Sequence, residues 1–352
     1  MKKDSLDFLK ALLEVPSPSG FEQPVQKIWR ERMKQYADEI STDVHGNAIA
    51  ALNPKGKPRV MLAGHCDEIG FMVKYINDEG FVYFAAIGGV DSAIVPARRV
   101  KIFTEKGIVH GVVGRKAIHM LDQEERKKVL DMHKLWIDIG AKDKKEAQKM
   151  VSIGDPIIFD VDFLPLPNGL AVGRGFDDRV GSFAVGETLR ILATKKPKAA
   201  VYAVSTVQEE LGMRGGRTSA FGIAPDVGIA VDVGNASDYP DADKQKAGEM
   251  KLGSGPVIVR GANINPVVGK GLVAAARKAK IPYQMLGAPR ATGTDANVIQ
   301  ITRGGVAAGL VSVPNRYMHT PVEMISLDDL DNVSKLLAEY IMGLSPRTDF
   351  TP

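Results

Sequence analysis

Residues 199–212 read Ala199-Ala200-Val201-Tyr202-Ala203-Val204-Ser205-Thr206-Val207-Gln208-Glu209-Glu210-Leu211-Gly212, a smooth apolar run that ends in two adjacent acids. A run of this length without helical spacing reads as a buried strand. Neighbouring carboxylates at the exit of a core strand repel each other and are costly to desolvate, so a positive partner is expected beside them. Three more apolar runs end in hydrophilic, metal-competent residues. Residues 60–64 lead into His65-Cys66-Asp67, residues 227–231 into Asp232, and residues 306–313 are followed shortly by His319. A fifth candidate is the glycine-flanked pair Asp177-Asp178, which opens a helix-like stretch. Together these residues make a coherent ligand set for two metal ions.

Outward from that run, helix and strand patterns alternate over residues 4–65 and again over 169–344. Such alternation predicts an α/β fold: an αβα-layered domain with a mixed, largely parallel sheet. Helices are predicted over 22–36, 179–192, 266–279 and 327–341. The last has Ser326 at its N-cap and Asp328 and Asp329 in its first turn, where carboxylates suit the helix dipole. Residues 71–160 have another texture. Short β-like runs at 80–84, 99–103, 107–113 and 156–159 are punctuated by glycine and charge, which predicts a small inserted β-barrel-like domain. The expected organisation is therefore 1–70 plus 163–352 for the main domain and 71–162 for the insertion. Within the insertion, residues 122–150 are strongly charged and read as a solvated loop with a surface helix. A mobile or subunit-contacting element is the sharper alternative.

The chain has 352 residues, 44% of them hydrophobic and 25% charged, which is ordinary for a globular protein. A formal net charge of +4 is small, and no basic stripe interleaves with aromatics, which argues against nucleic acid. The single cysteine, Cys66, allows no intrachain disulfide and fits a reducing compartment. Met1-Lys2-Lys3 resembles the start of a leader, but Asp4 and Asp7 interrupt the apolar stretch and predict an amphipathic helix instead. No apolar run approaches the roughly 20 residues of a membrane helix. A cytoplasmic enzyme with no membrane partner is the expectation.

Each site residue has a plainer alternative. His65 and Asp67 are two apart at a strand exit, so their side chains share a side, and Asp67 is placed to fix the second imidazole nitrogen of His65. Alone, the pair reads as a satisfied structural histidine. Of Asp177 and Asp178, one is expected to cap the helix that follows. A carboxylate bridging two metals needs rigid support, and the flanking glycines permit unusual backbone angles there. Glu209 and Glu210 offer one ligand and one free general base. Asp232 alone is a turn-former, and His319 alone is a structural histidine. Their joint placement at strand ends, where α/β sheets gather their sites, is what favours function. The donors are oxygen and nitrogen with no thiolate required, which suits Zn²⁺, Co²⁺ or Mn²⁺. Cys66 should face the opposite side of its strand as a buried thiol.

These residues resemble the tetrahedral (TET) aminopeptidases, co-catalytic metallopeptidases that include deblocking, glutamyl and leucyl aminopeptidases. The matching pieces are Gly64-His65-Cys66-Asp67-Glu68-Ile69-Gly70, Phe176-Asp177-Asp178-Arg179, residues 207–216, Asp232, Gly293-Thr294-Asp295 and residues 316–323. The resemblance implies that His65 and Asp232 bind one metal, Glu210 and His319 the other, and that Asp177 bridges them. It makes Glu209 the general base, Asp67 the group orienting His65, and Gly293, Thr294 and Asp295 a substrate-pocket lining. It further implies removal of N-terminal residues from short peptides by metal-activated water. The inserted domain would mediate assembly into a homo-oligomer, typically a dodecamer. Deacylation of N-acyl amino acids could use the same ligands. An endoglucanase label also occurs in the family, but glycosidases usually need two metal-free carboxylates. An assembly protein with a vestigial site is opposed by the intact ligand set. The preferred N-terminal residue is left open: Arg290 and Arg316 could favour acidic side chains or be structural.

Overall fold

The computed structural model describes residues 1–123 and 130–352. The contacts divide these into two compact units: residues 1–68, 163–318 and 322–352 in the first, and residues 69–162 with 319–321 in the second.

Helices α1 (Lys3–Glu14) and α2 (Gln23–Met33) open the first unit, followed by β1 (Glu39–Thr42), β2 (Ala48–Leu52) and β3 (Arg59–His65). The second unit is a closed barrel of six strands: β4 (Gly70–Ile76), β5 (Val82–Ile87), β6 (Arg99–Thr104), β7 (Gly107–Gly114), β8 (Trp136–Asp138) and β9 (Pro156–Phe159). Phe71 packs edge-on against Phe84 and Phe159, with ring centroids 5.0 and 5.2 Å away. Within the charged segment the structure departs from the sequence reading. Trp136–Asp138 is a strand that pairs with both β5 and β7 and helps close the barrel. Ile137 is its one fully buried side chain. Three residues are too few to show a period of two, so the strand is hidden among its charged neighbours. Residues 144–150 do form a helix, α3 (Lys144–Met150), with only Ala147 buried. The charged run at 124–129 lies outside the described residues.

The chain then supplies β10 (Leu164–Pro165), β11 (Leu170–Gly173), α4 (Phe176–Ala193), β12 (Ala200–Thr206), α5 (Arg214–Ile223), β13 (Val227–Asn235) and α6 (Lys244–Ala247). After these come β14 (Val257–Gly261), α7 (Pro266–Lys278), β15 (Gln284–Ala288), α8 (Asp295–Gln300), β16 (Ala307–Arg316), β17 (Glu323–Ser326) and α9 (Leu327–Met342). The strands of this unit form one mixed sheet whose centre, β12-β3-β13-β16, is parallel throughout. The flanking pairs β1-β2, β2-β12, β16-β17 and β17-β11 are antiparallel.

Both faces of the sheet are covered, which is why its central strands are apolar on both sides. Val60 and Leu62 of β3 join the cluster formed with α1, α2, α4 and α9. Met61 and Ala63, one residue out of phase, join Ala220 and Ile223 of α5 and Ile299 of α8 on the other face. Ser326 caps α9, its hydroxyl accepting from the Asp329 N–H at 3.3 Å. One contact decides where α4 begins. A Cβ on Gly64 would lie 2.2 Å from the Gly181 carbonyl carbon, so only glycine lets the first turn of α4 press onto the end of β3. That approach brings Asp177 and Asp178 to the strand exits.

Candidate metal centre

The parallel direction of β3, β12 and β13 delivers their carboxyl ends to one rim of the sheet. His65 is the last residue of β3. Glu209 and Glu210 lie in the turn after β12, in which Gln208 adopts a left-handed φ of 54°. Such a backbone costs on the order of 1 kcal/mol and persists where its surroundings fix it. Here the buried Glu22 accepts from the Gln208 N–H at 3.2 Å. Asp232 does not follow its strand, as the sequence suggested, but lies within β13.

These side chains converge on one imidazole. His65 Nε2 lies 3.2 Å from Asp177 Oδ1, 3.9 Å from Glu209 Oε2 and 4.0 Å from Asp232 Oδ1. Ligand atoms of His65, Asp177 and Glu210 fall within 4.8 Å of one another, and so do those of His65, Asp178 and Asp232. The other imidazole nitrogen, Nδ1, is held by Asp67, but chiefly by its main-chain carbonyl at 3.0 Å, with the carboxylate at 3.4 Å. The Asp67 carboxylate has a second task that the sequence did not reveal. Its Oδ1 accepts from the Glu209 N–H at 3.0 Å, and its Oδ2 from the Glu210 N–H at 3.2 Å and Ser19 Oγ at 2.6 Å. One buried carboxylate thus orients both the histidine and the di-glutamate turn.

Asp178 is the capping member of its pair. Its Oδ1 accepts from the Gly181 N–H at 3.0 Å, three residues on, as an N-cap does. Its Oδ2 accepts from the His65 N–H at 3.2 Å. Both oxygens therefore already serve backbone donors, whereas Asp177 points Oδ1 at the imidazole.

His319 belongs to the second unit, where its Nδ1 lies 2.9 Å from the Gly89 carbonyl. The two convergent groups above do not include it. Asp295 is the buried first residue of α8. Its Oδ2 accepts from Thr206 Oγ1 at 2.7 Å, while the buried Oδ1 has no hydrogen-bond partner. A Cβ on Gly293 would meet open space, and Thr294 Oγ1 lies 2.9 Å from Thr292 Oγ1. Arg316 forms a two-pronged ion pair with Asp238, both contacts at 2.7 Å, so its charge is already matched. Cys66 is buried in the apolar cluster, and burial pushes its thiol well above the usual range.

The electrostatics of the site bear on what it can hold. Burial pushes Glu209 up to about 8, with Asp295 and Glu210 adding repulsion. Burial also raises Asp232 and Asp178 well above the usual carboxylate range, reinforced in each case by neighbouring acids. Burial alone would lower His65, but the carboxylates of Asp177 and Asp67 more than offset it and hold the imidazolium well above its ordinary value. A crowd of acids sharing one imidazolium is short of positive charge. Hard and borderline oxygen and nitrogen donors without thiolate fit divalent cations of the zinc, cobalt and manganese type.

Comparison with known proteins agrees with this chemistry. The lysyl aminopeptidase of Pyrococcus furiosus is 38% identical over 349 residues, spanning 98% of this chain and 99% of its own length. A TET aminopeptidase from a marine sediment Thaumarchaeota archaeon shares 36% identity and superposes with a TM-score of 0.92, covering 97% of this chain and 96% of its own. The Pyrococcus horikoshii TET1 peptidase, described as assembling into a tetrahedron or a large octahedral shell, shares 32% identity at a TM-score of 0.87, covering 97% of this chain and all of its own, 100%. The family model of the M42 glutamyl aminopeptidases matches residues 46–336, and the chain belongs to that family of aminopeptidases.

Proposed function

We propose that this aminopeptidase removes N-terminal residues from short peptides with two divalent metals of the zinc, cobalt or manganese type per subunit. The observation that carries the reading is the convergence of the Asp177, Glu209 and Asp232 carboxylates within 4.0 Å of His65 Nε2 at the strand exits. His65, Asp177, Glu210, Asp232 and His319 would hold the metals. When bound, such metals would supply Lewis acidity toward the scissile carbonyl and lower the pKa of water. Glu209 is the general base: its carboxylate stands over the imidazole without being tied to a backbone donor, and it takes the water proton and returns it to the leaving amine. Asp67 fixes the His65 ring and the Glu209–Glu210 backbone, so acid, base and ligands keep their spacing. Gly293, Thr294 and Asp295 line the substrate pocket in this reading, with open space beside Gly293.

The ion pair of Arg316 with Asp238 argues against Arg316 as a receptor for acidic N-terminal residues, which leaves Arg290 as the candidate for that role. The barrel unit mediates assembly into a homo-oligomer, with a dodecameric shell the form suggested by the Pyrococcus horikoshii relative. Among the described residues no helix is long and apolar enough to cross a membrane, and a cytoplasmic site of action fits the lone, buried cysteine. The test is hydrolysis of a panel of aminoacyl-p-nitroanilides by chelator-stripped enzyme, before and after addition of Zn²⁺, Co²⁺ or Mn²⁺. Activity should vanish with the metal and return with it. Full activity in excess chelator, with no metal found by elemental analysis, defeats the reading.

A further inference from the structure

Beneath the metal centre lies a second charged cluster that touches none of the proposed chemistry. Glu68 directly follows Asp67 yet is not aimed at the imidazole. Its Oε1 accepts from the Ser17 N–H at 3.1 Å, from Arg174 Nη1 at 2.7 Å and from Arg179 Nη2, and its Oε2 from Arg174 Nη1 at 2.6 Å. All three charged side chains are buried, Arg179 completely. Both guanidinium groups also donate to the Leu13 carbonyl, at 3.0 and 3.1 Å. That carbonyl lies in the last turn of α1, where helical acceptors lack partners and cations are favoured. Arg179 further donates to Ser17 Oγ at 2.7 Å, and Ser17 Oγ donates to the Cys66 carbonyl at 2.6 Å.

The placement of this cluster is its message. Glu68 is covalently next to the turn that carries His65 and Asp67. Arg179 is next to Asp178, and Arg174 stands on the other side of the same turn. Asp178 reaches from the second turn to the His65 N–H, and Glu68 reaches from the first turn to both arginines. The two ligand-bearing turns are thus cross-linked in both directions. Gly175 leaves room for the linkage, since a Cβ there would lie 2.9 Å from Glu68 Oε2. Glu68 itself cannot serve as a ligand, because both of its oxygens are engaged by arginine.

We propose that Glu68, Arg174 and Arg179 are positioning residues: a buried clamp that fixes the distance between the His65 turn and the Asp177 turn and thereby sets the affinity of the centre for its metals. The clamp rests on the metal reading of the site. It acts as the hydrogen-bond partners of metal ligands do, by holding donors where the ion needs them. Arg174 spans Glu68 through Nη1 and the Leu13 carbonyl through Nη2, so its planar guanidinium fixes direction as well as charge.

The experiment compares wild type with Glu68→Gln and Arg174→Lys, using Zn²⁺ itself as the probe. Zn²⁺ dissociation constants are measured by competition with a chromophoric chelator, the visible spectrum is recorded after Co²⁺ loading, and melting temperatures are taken with and without metal. In Glu68→Gln one oxygen becomes an amide that turns donors toward arginine donors. Zn²⁺ affinity should fall by roughly 10–100-fold, the usual range for losing such support, with a changed Co²⁺ spectrum. Arg174→Lys keeps the charge on Glu68 but loses the second prong to the Leu13 carbonyl, and should weaken Zn²⁺ binding in the same direction by less. A lowered melting temperature with wild-type Zn²⁺ affinity and Co²⁺ spectrum shows a merely structural ion pair and overturns the proposal. Should Glu68→Gln fail to fold, Arg174→Lys decides, and wild-type affinity in that folded variant is equally fatal. If wild type itself binds no Zn²⁺, the metal reading falls and takes the clamp with it; wild-type binding matched by the variants removes the clamp alone.

Discussion

Asp67→Asn is the substitution that most directly tests how the site is held. The aspartate is fully buried and accepts three hydrogen bonds through its two oxygens, besides standing 3.4 Å from His65 Nδ1. Burial would raise its pKa, but the interactions with His65, Ser19 and Glu209 more than offset this and keep it below the usual value, so the native group is an anion. Asparagine has nearly the same shape and one acceptor oxygen. If that oxygen replaces Oδ1, the amide nitrogen faces Ser19 Oγ, which can reverse and accept, and the Glu210 N–H, which cannot. One buried backbone donor is then left facing another donor, a cost of about 1–3 kcal/mol. The opposite orientation sets the amide against the Glu209 N–H and is no better. Because the lost bond positions the Glu209–Glu210 turn, the cost should appear in the site. A barrier raised by that amount lowers kcat/KM by about 5- to 150-fold. The assay is steady-state hydrolysis of a neutral aminoacyl-p-nitroanilide at saturating metal, together with the Zn²⁺ dissociation constant. An Asp67→Asn enzyme within threefold of wild type in both, with unchanged melting temperature, would show that Asp67 does not organise the centre.

Three further outcomes follow from the same structure. Glu209→Gln should lower kcat by at least ~100-fold, the lower range for removing a general base, while retaining metal; Glu210→Gln should lose metal. The reverse pattern in elemental analysis would exchange the two roles. Glu22 is buried and pushed up to about 7 from 4.5, first by burial, while its Oε1 accepts from both Gly20 and Gln208. Its folded pKa is raised, so the metal-free protein should lose stability as pH climbs from about 4.5 to about 7, by on the order of 3 kcal/mol. Glu22→Gln keeps an oxygen for both backbone bonds and should flatten that dependence in chemical denaturation; an unchanged slope contradicts the assignment. Light scattering at micromolar concentration should return a homo-oligomer far larger than a dimer, and deletion of residues 71–160 with a short linker should give small species. A monomeric intact protein refutes the assembly reading and leaves the metal chemistry standing.

The αβα sheet and the convergence of His65, Asp177, Glu209, Glu210 and Asp232 were legible because each depends on a local pattern. Apolar runs mark β3, β12, β13 and β16, and a polar residue at or near each carboxyl end marks the rim, although Asp232 stands inside β13. Two kinds of feature were not legible. One is the short strand β8, whose three residues carry no periodicity and whose role exists only through its pairing with β5 and β7. The other is the set of bonds that hold the centre. Glu68 reads in sequence as one more acid beside Asp67, and its meaning depends on arginines 106 and 111 residues away. Asp178 reads as a helix cap and is one, yet it also grips the backbone of His65 across 113 residues.

That contrast has a physical origin. Ligand identity is set by the chemistry of a side chain, which the sequence states outright, whereas ligand position is set by long-range contacts that only the fold brings together. The centre also shows the two acting against each other. Asp177, Asp178, Glu209 and Asp232 are all buried around a single imidazolium, an arrangement that costs the folded chain stability through desolvation and repulsion. Neighbouring structure offsets this cost with bonds of its own: backbone donors to Asp67 and Asp178, and the two arginines on Glu68. The crowding of these acids around one imidazole fits a divalent cation among them, and the buried Arg174 and Arg179 tie together the turns that carry His65 and Asp177.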